Sequence, residues 1–381
     1  MTIASSTIRV KGRFPMHRGG WLESPTVAYE TWGELKGRGD NAILLFTGLS
    51  PSAHAASSPA NPAPGWWEDM IGPGRPLDTN EYFVICVNSI GSCFGSTGPA
   101  SIEPATGERY RLRFPVLSLE DVANGGYEVV KALGLERLHT TVGASMGGMS
   151  ALAFCVNHPG LSAGFISISS ATRALPFAIA VRSLQREMIR RDPKWQGGNY
   201  DPEDPPLVGP RLARKLGMIT YRSAIEWERR FGRERVTTME NDADPFRITF
   251  EVESYLEAQA LKFTGRFDPN CYLYLSRASD LFDLAEYGGS LASGFRRLKL
   301  ERALVVGVTS DILFPLHQQE ELAQGLSEVV EDVRFVRLET VKGHDSFLVE
   351  MDAFRPVICN WFESCPSPRS TPAGEQARTP A

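Results

Sequence analysis

The residues with the clearest capacity for chemistry are Gly143-Ala144-Ser145-Met146-Gly147, a G-x-S-x-G pattern. A β-branched run at residues 138–142 precedes the pattern, and residues 149–154, which favour a helix, follow it. Strand, tight turn and helix in this order form a nucleophile elbow, which exposes the serine hydroxyl at the sheet edge. The two glycines suit a turn that leaves no room for a Cβ atom. The alternative is an ordinary glycine-rich turn.

A serine nucleophile needs a general base and a group that orients the base, here expected in the order serine, aspartate, histidine. Asp311 follows the buried-strand pattern of residues 303–308, and His344 follows the β-rich residues 333–338. Because the carboxyl ends of parallel strands meet above one crevice, we expect Ser145, Asp311 and His344 to converge there. His344 would accept the serine proton while Asp311 fixes its tautomer. Asp311 could instead, or also, cap the helix that follows it.

The elements around these residues predict an α/β protein with a mostly parallel sheet. Strand patterns occur at residues 26–32 (antiparallel in character), 42–46, 82–87 and 165–168, and an amphipathic helix is predicted at 119–133. After these strands the pattern predicts only successive helices, at residues 179–190, 212–220, 225–231, 252–263 and 272–284. We therefore predict a discontinuous core of residues 1–175 and 290–364, a helical cap (lid) domain at 176–289, and a disordered tail at 365–381.

Composition narrows the class of protein. With 381 residues, 42% of them hydrophobic, the chain can bury a large core. A net charge of −5 and the lack of a basic tract argue against nucleic acid. No apolar run approaches the ~20 residues of a membrane span and no signal-peptide pattern is present, so we expect a cytoplasmic protein. The six cysteines lack CxxC spacing, and neither metal-ligand spacing nor a dinucleotide-binding fingerprint occurs, so no metal or cofactor is expected.

Several longer segments give the chain a family resemblance over about residues 14–362. It resembles the homoserine O-acyltransferases, which have the α/β-hydrolase fold. The resemblance implies transfer of an acyl group from an acyl-CoA to an amino-acid hydroxyl, with the serine as covalent relay, and a homodimer. The shared segments lie at residues 65–67, 77–86, 95–101, 143–149, 250–256, 267–274, 309–311 and 343–345.

Two further segments are similar to one branch of that family, the serine O-succinyltransferases. Residues 47–54 replace the His-Ala-Leu-Thr-Gly pattern typical of homoserine acetyltransferases, and residues 174–187 also match the branch. The resemblance implies succinyl-CoA as co-substrate, L-serine as acceptor and a role in cysteine biosynthesis. Acylation of L-homoserine for methionine biosynthesis is the alternative within the family. An esterase, or a binding protein without catalysis, is the alternative outside it.

The resemblance also assigns residues around the serine. The backbone N–H groups of Leu49 and Met146 would form the oxyanion hole. The loop Gly48-Leu49-Ser50-Pro51 would lie beside the acceptor, where Gly48 gives backbone freedom and Pro51 stiffness, and would favour serine over the longer homoserine. A plain structural turn is the alternative for this loop.

Three charged residues complete the assignment. Arg214 would bind the α-carboxylate of the acceptor and Asp345 its α-ammonium group, although without the resemblance both would be solvated surface charges. Arg182 would bind the distal carboxylate of a succinyl group and so select the acyl-CoA. The alternative for Arg182 is a pair with Glu187 or Asp192 on the cap surface.

Overall fold

The buried apolar runs form one eight-stranded sheet. A computed structural model describes residues 6–37, 39–237 and 244–364. The strands in this part of the chain are β1 (Ser6–Arg9), β2 (Arg13–Pro15), β3 (Trp21–Glu23), β4 (Thr26–Trp32), β5 (Ala42–Phe46), β6 (Ile71–Gly72), β7 (Leu77–Asp78), β8 (Phe83–Val87), β9 (Leu138–Ala144), β10 (Ser162–Ile168), β11 (Arg302–Val308) and β12 (Asp332–Leu338). The sheet order is β1-β4-β8-β5-β9-β10-β11-β12.

The sheet is parallel from β8 to β12, and only the pairs β1–β4 and β4–β8 are antiparallel. The antiparallel character expected at residues 26–32 is therefore confirmed. Strands β5, β9 and β10 are buried at every residue, as expected for strands covered on both faces. Because β9, β11 and β12 run in the same direction, the chain leaves all three at the same edge of the sheet.

Helices cover the sheet and fill the long interval between β10 and β11. Their bounds are α1 (Leu119–Ala132), α2 (Met146–Asn157), α3 (Pro176–Arg190), α4 (Val208–Thr220), α5 (Ala224–Phe231), α6 (Glu251–Phe263), α7 (Pro269–Leu281), α8 (Leu291–Phe295), α9 (Leu316–Ser327), α10 (Ser346–Val349) and α11 (Met351–Ser364). The five helices expected between residues 179 and 284 are α3 to α7.

Capping explains why the bounds of α3 and α7 differ from the prediction. Helices α3 and α7 begin three residues early because each has a proline at its first position, where the missing N–H costs nothing. The side chain of Asp268 also accepts the backbone N–H of Cys271 and so caps α7. Helix α7 ends at Leu281 rather than 284, because Phe282 is extended and Asp283 caps a separate short turn.

Buried apolar side chains of helices α3 and α7 are continuous with one face of the sheet. Ala178, Ile189 and Leu275 belong to the same apolar cluster as Phe46 and Leu152 of the core.

The division into a core domain and a cap domain stays a prediction, and the tail at 365–381 lies outside the described residues. We use the name cap helices for α3 to α7. Within the described part of the chain, no helix is long and apolar enough to cross a membrane.

Candidate active site

Ser145 lies on a strained turn between β9 and α2. Its backbone angles are φ 55° and ψ −127°, a conformation that side-chain-bearing residues rarely adopt. A Cβ atom on Gly143 would lie 2.1 Å from the carbonyl oxygen of Gly147, and one on Gly147 would lie 2.3 Å from that of Phe46. The expected steric need for both glycines is therefore present, and the turn is a nucleophile elbow.

The three residues expected to converge form one hydrogen-bonded chain. His344 Nε2 lies 2.7 Å from Ser145 Oγ, and His344 Nδ1 lies 2.7 Å from Asp311 Oδ2. The other oxygen of Asp311, Oδ1, accepts the backbone N–H groups of Leu313 and Phe314, each at 2.9 Å. Asp311 therefore has both of the roles predicted from the sequence: it caps the following turn and it orients the histidine.

The environment of His344 favours a base that becomes charged during reaction. Burial lowers the pKa of this imidazole, but the negative charge and hydrogen bond of Asp311, together with the negative charge of Asp345, raise the pKa above its ordinary value. Asp311 is itself buried, and its carboxylate is satisfied by the imidazole and the two backbone N–H groups. The arrangement therefore stabilises an imidazolium ion and fixes which nitrogen faces the serine.

A cavity of about 130 Å³ opens beside the serine. Asp311 lies behind His344 and is the one residue of the predicted site that does not line it. The predicted residues that line the cavity are Gly48, Leu49, Ser50, Pro51, Ser145, Met146, Arg182, Arg214, His344 and Asp345. Segments far apart in sequence therefore meet around one space, as expected at the carboxyl ends of parallel strands.

The loop after β5 forms one wall of this cavity. Thr47 Oγ1 lies 3.3 Å from Ser89 Oγ, and the loop from Gly48 to Pro51 follows it. Gly48 does not have a left-handed φ, and a Cβ atom there would meet only the Pro51 ring at 3.8 Å. The expectation that Gly48 supplies special backbone freedom is therefore wrong, because an ordinary residue could adopt its conformation. Its small size leaves space in the cavity instead.

Arg214 and Asp345 present opposite charges to the cavity. Each is only partly exposed, and the Arg214 guanidinium lies 4.6 Å from the centre of the Phe263 ring. Within residues 6–37, 39–237 and 244–364, neither side chain has a hydrogen bond or an ion pair. Burial raises the pKa of Asp345 above its ordinary value, although the positive charges of His344, Arg222 and Arg214 act against it. In the described part of the chain, a cation and an anion that form no ion pair therefore share one pocket.

Arg182 is 7% exposed and lies in α3, between the cavity and α7. Its Nε donates to Asp280 Oδ1 at 2.6 Å, and Arg186 Nη2 lies 2.7 Å from Asp280 Oδ2. Two guanidinium groups share one carboxylate, so the cluster keeps a net positive charge. In the described structure, the buried Nη2 atom of Arg182 has no hydrogen-bond partner.

The alternative of a surface pair for Arg182 is wrong. Glu187 pairs with Arg191, and Asp192 accepts the backbone N–H groups of Lys194 and Gly209. The true partner, Asp280, lies 98 residues further along the chain, so helical spacing gave no signal for it. Sequence reasoning also missed Ser310, whose hydroxyl accepts the backbone N–H of Gly343 at 3.0 Å and joins the two loops of the triad.

The loop that carries His344 is held by the segment that connects α4 and α5. The backbone N–H of Asp345 donates to the carbonyl of Tyr221 at 3.1 Å, and Ser223 Oγ donates to the carbonyl of Val341 at 2.5 Å. Gly343 has φ 75°, and a Cβ atom there would lie 2.8 Å from the backbone of residues 221–223. We call residues 221–223 and 341–345 together the cap–loop junction.

One group of side chains outside the cavity has metal-ligand chemistry that the sequence spacing did not indicate. Ligand atoms of His17, Glu120 and Glu286 lie within 4.8 Å of one another. Arg18 Nη2, however, donates to both carboxylate oxygens of Glu286, at 2.9 and 3.0 Å. This pairing competes with a metal for the same oxygens, so the group supports no role in the chemistry of the cavity.

Comparison with known proteins agrees with this geometry. Residues 41–350 match the family described as alpha/beta hydrolase fold. The solved structure of homoserine O-acetyltransferase from Bacillus anthracis is 27% identical, with a TM-score of 0.85 over 94% of this chain and 98% of that one. Esterase E22 is also 27% identical, with a TM-score of 0.84 over 93% and 98% of the two chains. The class is therefore an α/β-hydrolase-fold enzyme with a Ser-His-Asp site.

A relative with higher sequence identity shows which branch of the family the chain resembles. The serine O-succinyltransferase of Litchfieldella anticariensis is 57% identical over 362 residues, which is 95% of this chain and 99% of that protein. The chain belongs to the family of the serine O-succinyltransferases.

Proposed function

We propose that this protein transfers the succinyl group of succinyl-CoA to the hydroxyl of L-serine, giving O-succinyl-L-serine and CoA. The observation that carries the proposal is the cavity itself. It combines the Ser145–His344 pair with the unpaired charges of Arg214 and Asp345. Such a site fits an acceptor with a carboxylate, an ammonium group and a hydroxyl. The product would be an activated precursor for cysteine synthesis.

In the first half-reaction, Ser145 Oγ attacks the thioester carbonyl while His344 Nε2 takes the hydroxyl proton. The backbone N–H groups of Leu49 and Met146 would stabilise the oxyanion, since both residues line the cavity beside Ser145. The carbon–sulfur bond then breaks, and the leaving thiolate of CoA takes the proton from His344. A succinyl ester on Ser145 remains.

In the second half-reaction, the acceptor hydroxyl attacks the acyl-enzyme. Arg214 holds the α-carboxylate and Asp345 the α-ammonium group, so that the hydroxyl faces the ester carbon within reach of His344. His344 takes the hydroxyl proton and returns it to Ser145 as the ester bond to the enzyme breaks. Transfer rather than hydrolysis requires that serine outcompetes water in this cavity. The likeness to esterase E22 makes water the natural competing acceptor.

Two walls of the cavity would select the substrates, one the acyl donor and the other the acceptor. The buried Nη2 of Arg182 can donate to a distal succinyl carboxylate, which acetyl lacks. The loop Gly48-Leu49-Ser50-Pro51 limits the length of the acceptor. A misplacement of about 1 Å can cost ~100-fold in rate, so this loop could favour serine over homoserine, which is one methylene longer.

The test is a matrix of succinyl-CoA and acetyl-CoA against serine, homoserine and water, followed by thiol release. Succinyl-CoA with serine is expected to be fastest, with ping-pong kinetics. Succinyl-CoA alone should add one succinyl mass to the protein, and Ser145→Ala should abolish this mass and turnover. Faster turnover with homoserine would support the homoserine alternative, and thiol release independent of any amino acid would support a hydrolase. Activity within tenfold in Ser145→Ala would refute the covalent mechanism.

We also propose a cytoplasmic homodimer without nucleic-acid or membrane partners, as the family resemblance and the composition imply. Light scattering during size-exclusion chromatography measures the assembly directly. A monomeric mass across the working concentration range would contradict the dimer.

A further inference from the structure

A groove lined with arginine runs along the outside of the cap. It lies between α3 and α7, and we call it the arginine groove. Its lining residues are Ser183, Arg186, Glu187, Arg190, Arg191 and Arg277. None of these residues lines the cavity that holds Ser145. The groove is therefore a second concave site on the same pair of helices.

The positive charge of this groove is only partly neutralised. Glu187 pairs with Arg191 at 2.6 Å, so these two charges cancel. Arg190 and Arg277 are exposed, and in the part of the chain that the structure describes neither has a carboxylate partner. Arg190 lies against the Trp195 ring, 5.7 Å from its centre. Two uncompensated guanidinium groups thus face one groove, a combination suited to phosphate.

The arginine groove adjoins the cavity through one ion-pair cluster. Arg186 lines the groove, Arg182 lines the cavity one helical turn earlier, and both bind Asp280. From Arg182 to Arg190 the rise of the helix is about 12 Å. The cavity and the arginine groove therefore lie along the same helix, with the Arg182–Asp280–Arg186 cluster between them.

The size of the cavity requires such an outer site. A space of about 130 Å³ accommodates an acyl group and a small acceptor but not the nucleotide of a CoA thioester. In that donor the pantetheine arm separates the thioester from the diphosphate and the 3′-phosphate. The phosphates must therefore bind outside the cavity.

We propose that the arginine groove binds the phosphates of the acyl-CoA donor, chiefly through Arg190 and Arg277. The inference rests on the proposed function for the identity of the donor. The groove contributes to donor affinity by binding the nucleotide phosphates, whereas Arg182 binds the distal carboxylate of the succinyl group. The two arginine sites on α3 would thus recognise opposite ends of one molecule.

The experiment compares Arg190→Gln, Arg277→Gln and the double variant with the unmodified enzyme, using two donors. Succinyl-CoA carries the phosphates, whereas S-succinyl-pantetheine lacks them. The double variant should show a KM for succinyl-CoA raised at least about tenfold, with kcat and the KM for serine unchanged. Its kcat/KM for S-succinyl-pantetheine should equal that of the unmodified enzyme, which also shows that the variant is folded. Arg229→Gln, an exposed arginine of α5, is the matched control and should change neither donor.

Calorimetric binding of CoA itself separates this inference from the proposed function. Weaker CoA binding in the double variant supports the groove even if the unmodified enzyme fails to acylate serine. An unchanged CoA affinity, or equal losses for both donors, would overturn the inference while leaving acyl transfer intact. A change of oligomeric mass with unchanged CoA affinity would overturn it in favour of a subunit interface. No CoA binding by the unmodified enzyme would overturn the inference, and the thiol-release matrix would decide the proposed function separately.

Discussion

Replacing Asp311 by asparagine tests the geometry of the triad with almost no change of shape. Asp311 Oδ1 accepts two backbone N–H groups, so in Asp311→Asn the amide oxygen must occupy that position. The amide NH₂ group must then face His344 Nδ1, which becomes a hydrogen-bond acceptor. The proton of the neutral imidazole moves to Nε2, where it points at Ser145 Oγ. The histidine can no longer accept the serine proton.

The expected loss is therefore that of a wrong tautomer, about 10⁴-fold in kcat. The variant also loses the charge and the hydrogen bond that raise the pKa of His344, while burial continues to lower it. The acid limb of any residual activity should therefore move to lower pH. Raising the pH should not restore activity, because deprotonation does not change the tautomer that the asparagine imposes.

The assay is single-turnover thiol release from succinyl-CoA, with the free energy of unfolding measured in parallel. Asp283→Asn is the matched control, because Asp283 also caps a short turn but lies outside the cavity. This control should keep full activity. A loss below about tenfold in a folded Asp311→Asn variant, or recovery at high pH, would refute the tautomer argument.

The remaining predictions concern donor, acceptor, turn and pH. Arg182→Ala should lower kcat/KM for succinyl-CoA by about tenfold or more and spare acetyl-CoA, whereas equal losses would indicate only a structural role. Asp345→Asn should raise the KM for serine while the rate of acyl-enzyme formation stays unchanged in stopped-flow measurements, and a slower acylation would contradict its role at the ammonium group. Gly147→Ala should lower both activity and melting temperature, because its Cβ would lie 2.3 Å from a carbonyl oxygen, and wild-type stability would contradict the close packing. Because the pKa of His344 is raised and the base must be neutral, kcat/KM should fall with decreasing pH through a value above 6.5, and an acid limb below 6.5 would contradict this.

The parts of the site that local sequence could predict are those set by backbone sterics and strand order. Gly143 and Gly147 enclose a turn that only glycine permits, and the strands before Asp311 and His344 deliver them to the same sheet edge. The helices of the cap were also predictable from apolar periodicity. The first residues of α3 and α7 were not, because Pro176 and Pro269 extend these two helices by capping chemistry rather than by periodicity.

Contacts between distant segments were beyond the reach of sequence patterns. Nothing near Arg182 indicates Asp280, because the two meet only when α3 packs on α7. At Gly48 the sequence suggested a feature that is absent: a glycine in a loop suggests a left-handed φ, which this residue does not have. In both cases tertiary packing, rather than residue type, decides the role of the side chain.

The cap–loop junction has a consequence for how this architecture can change. Tyr221 and Ser223, between α4 and α5, fix the backbone on both sides of His344 through the carbonyl and N–H groups of the loop. Gly343 lies so close to the cap that even a methyl group would collide with it. The cap helices and the segments between them therefore cannot be exchanged alone to obtain a new acceptor specificity. A transplanted cap would need residues 341–345 of its own parent, because otherwise the general base would lose its alignment with the serine.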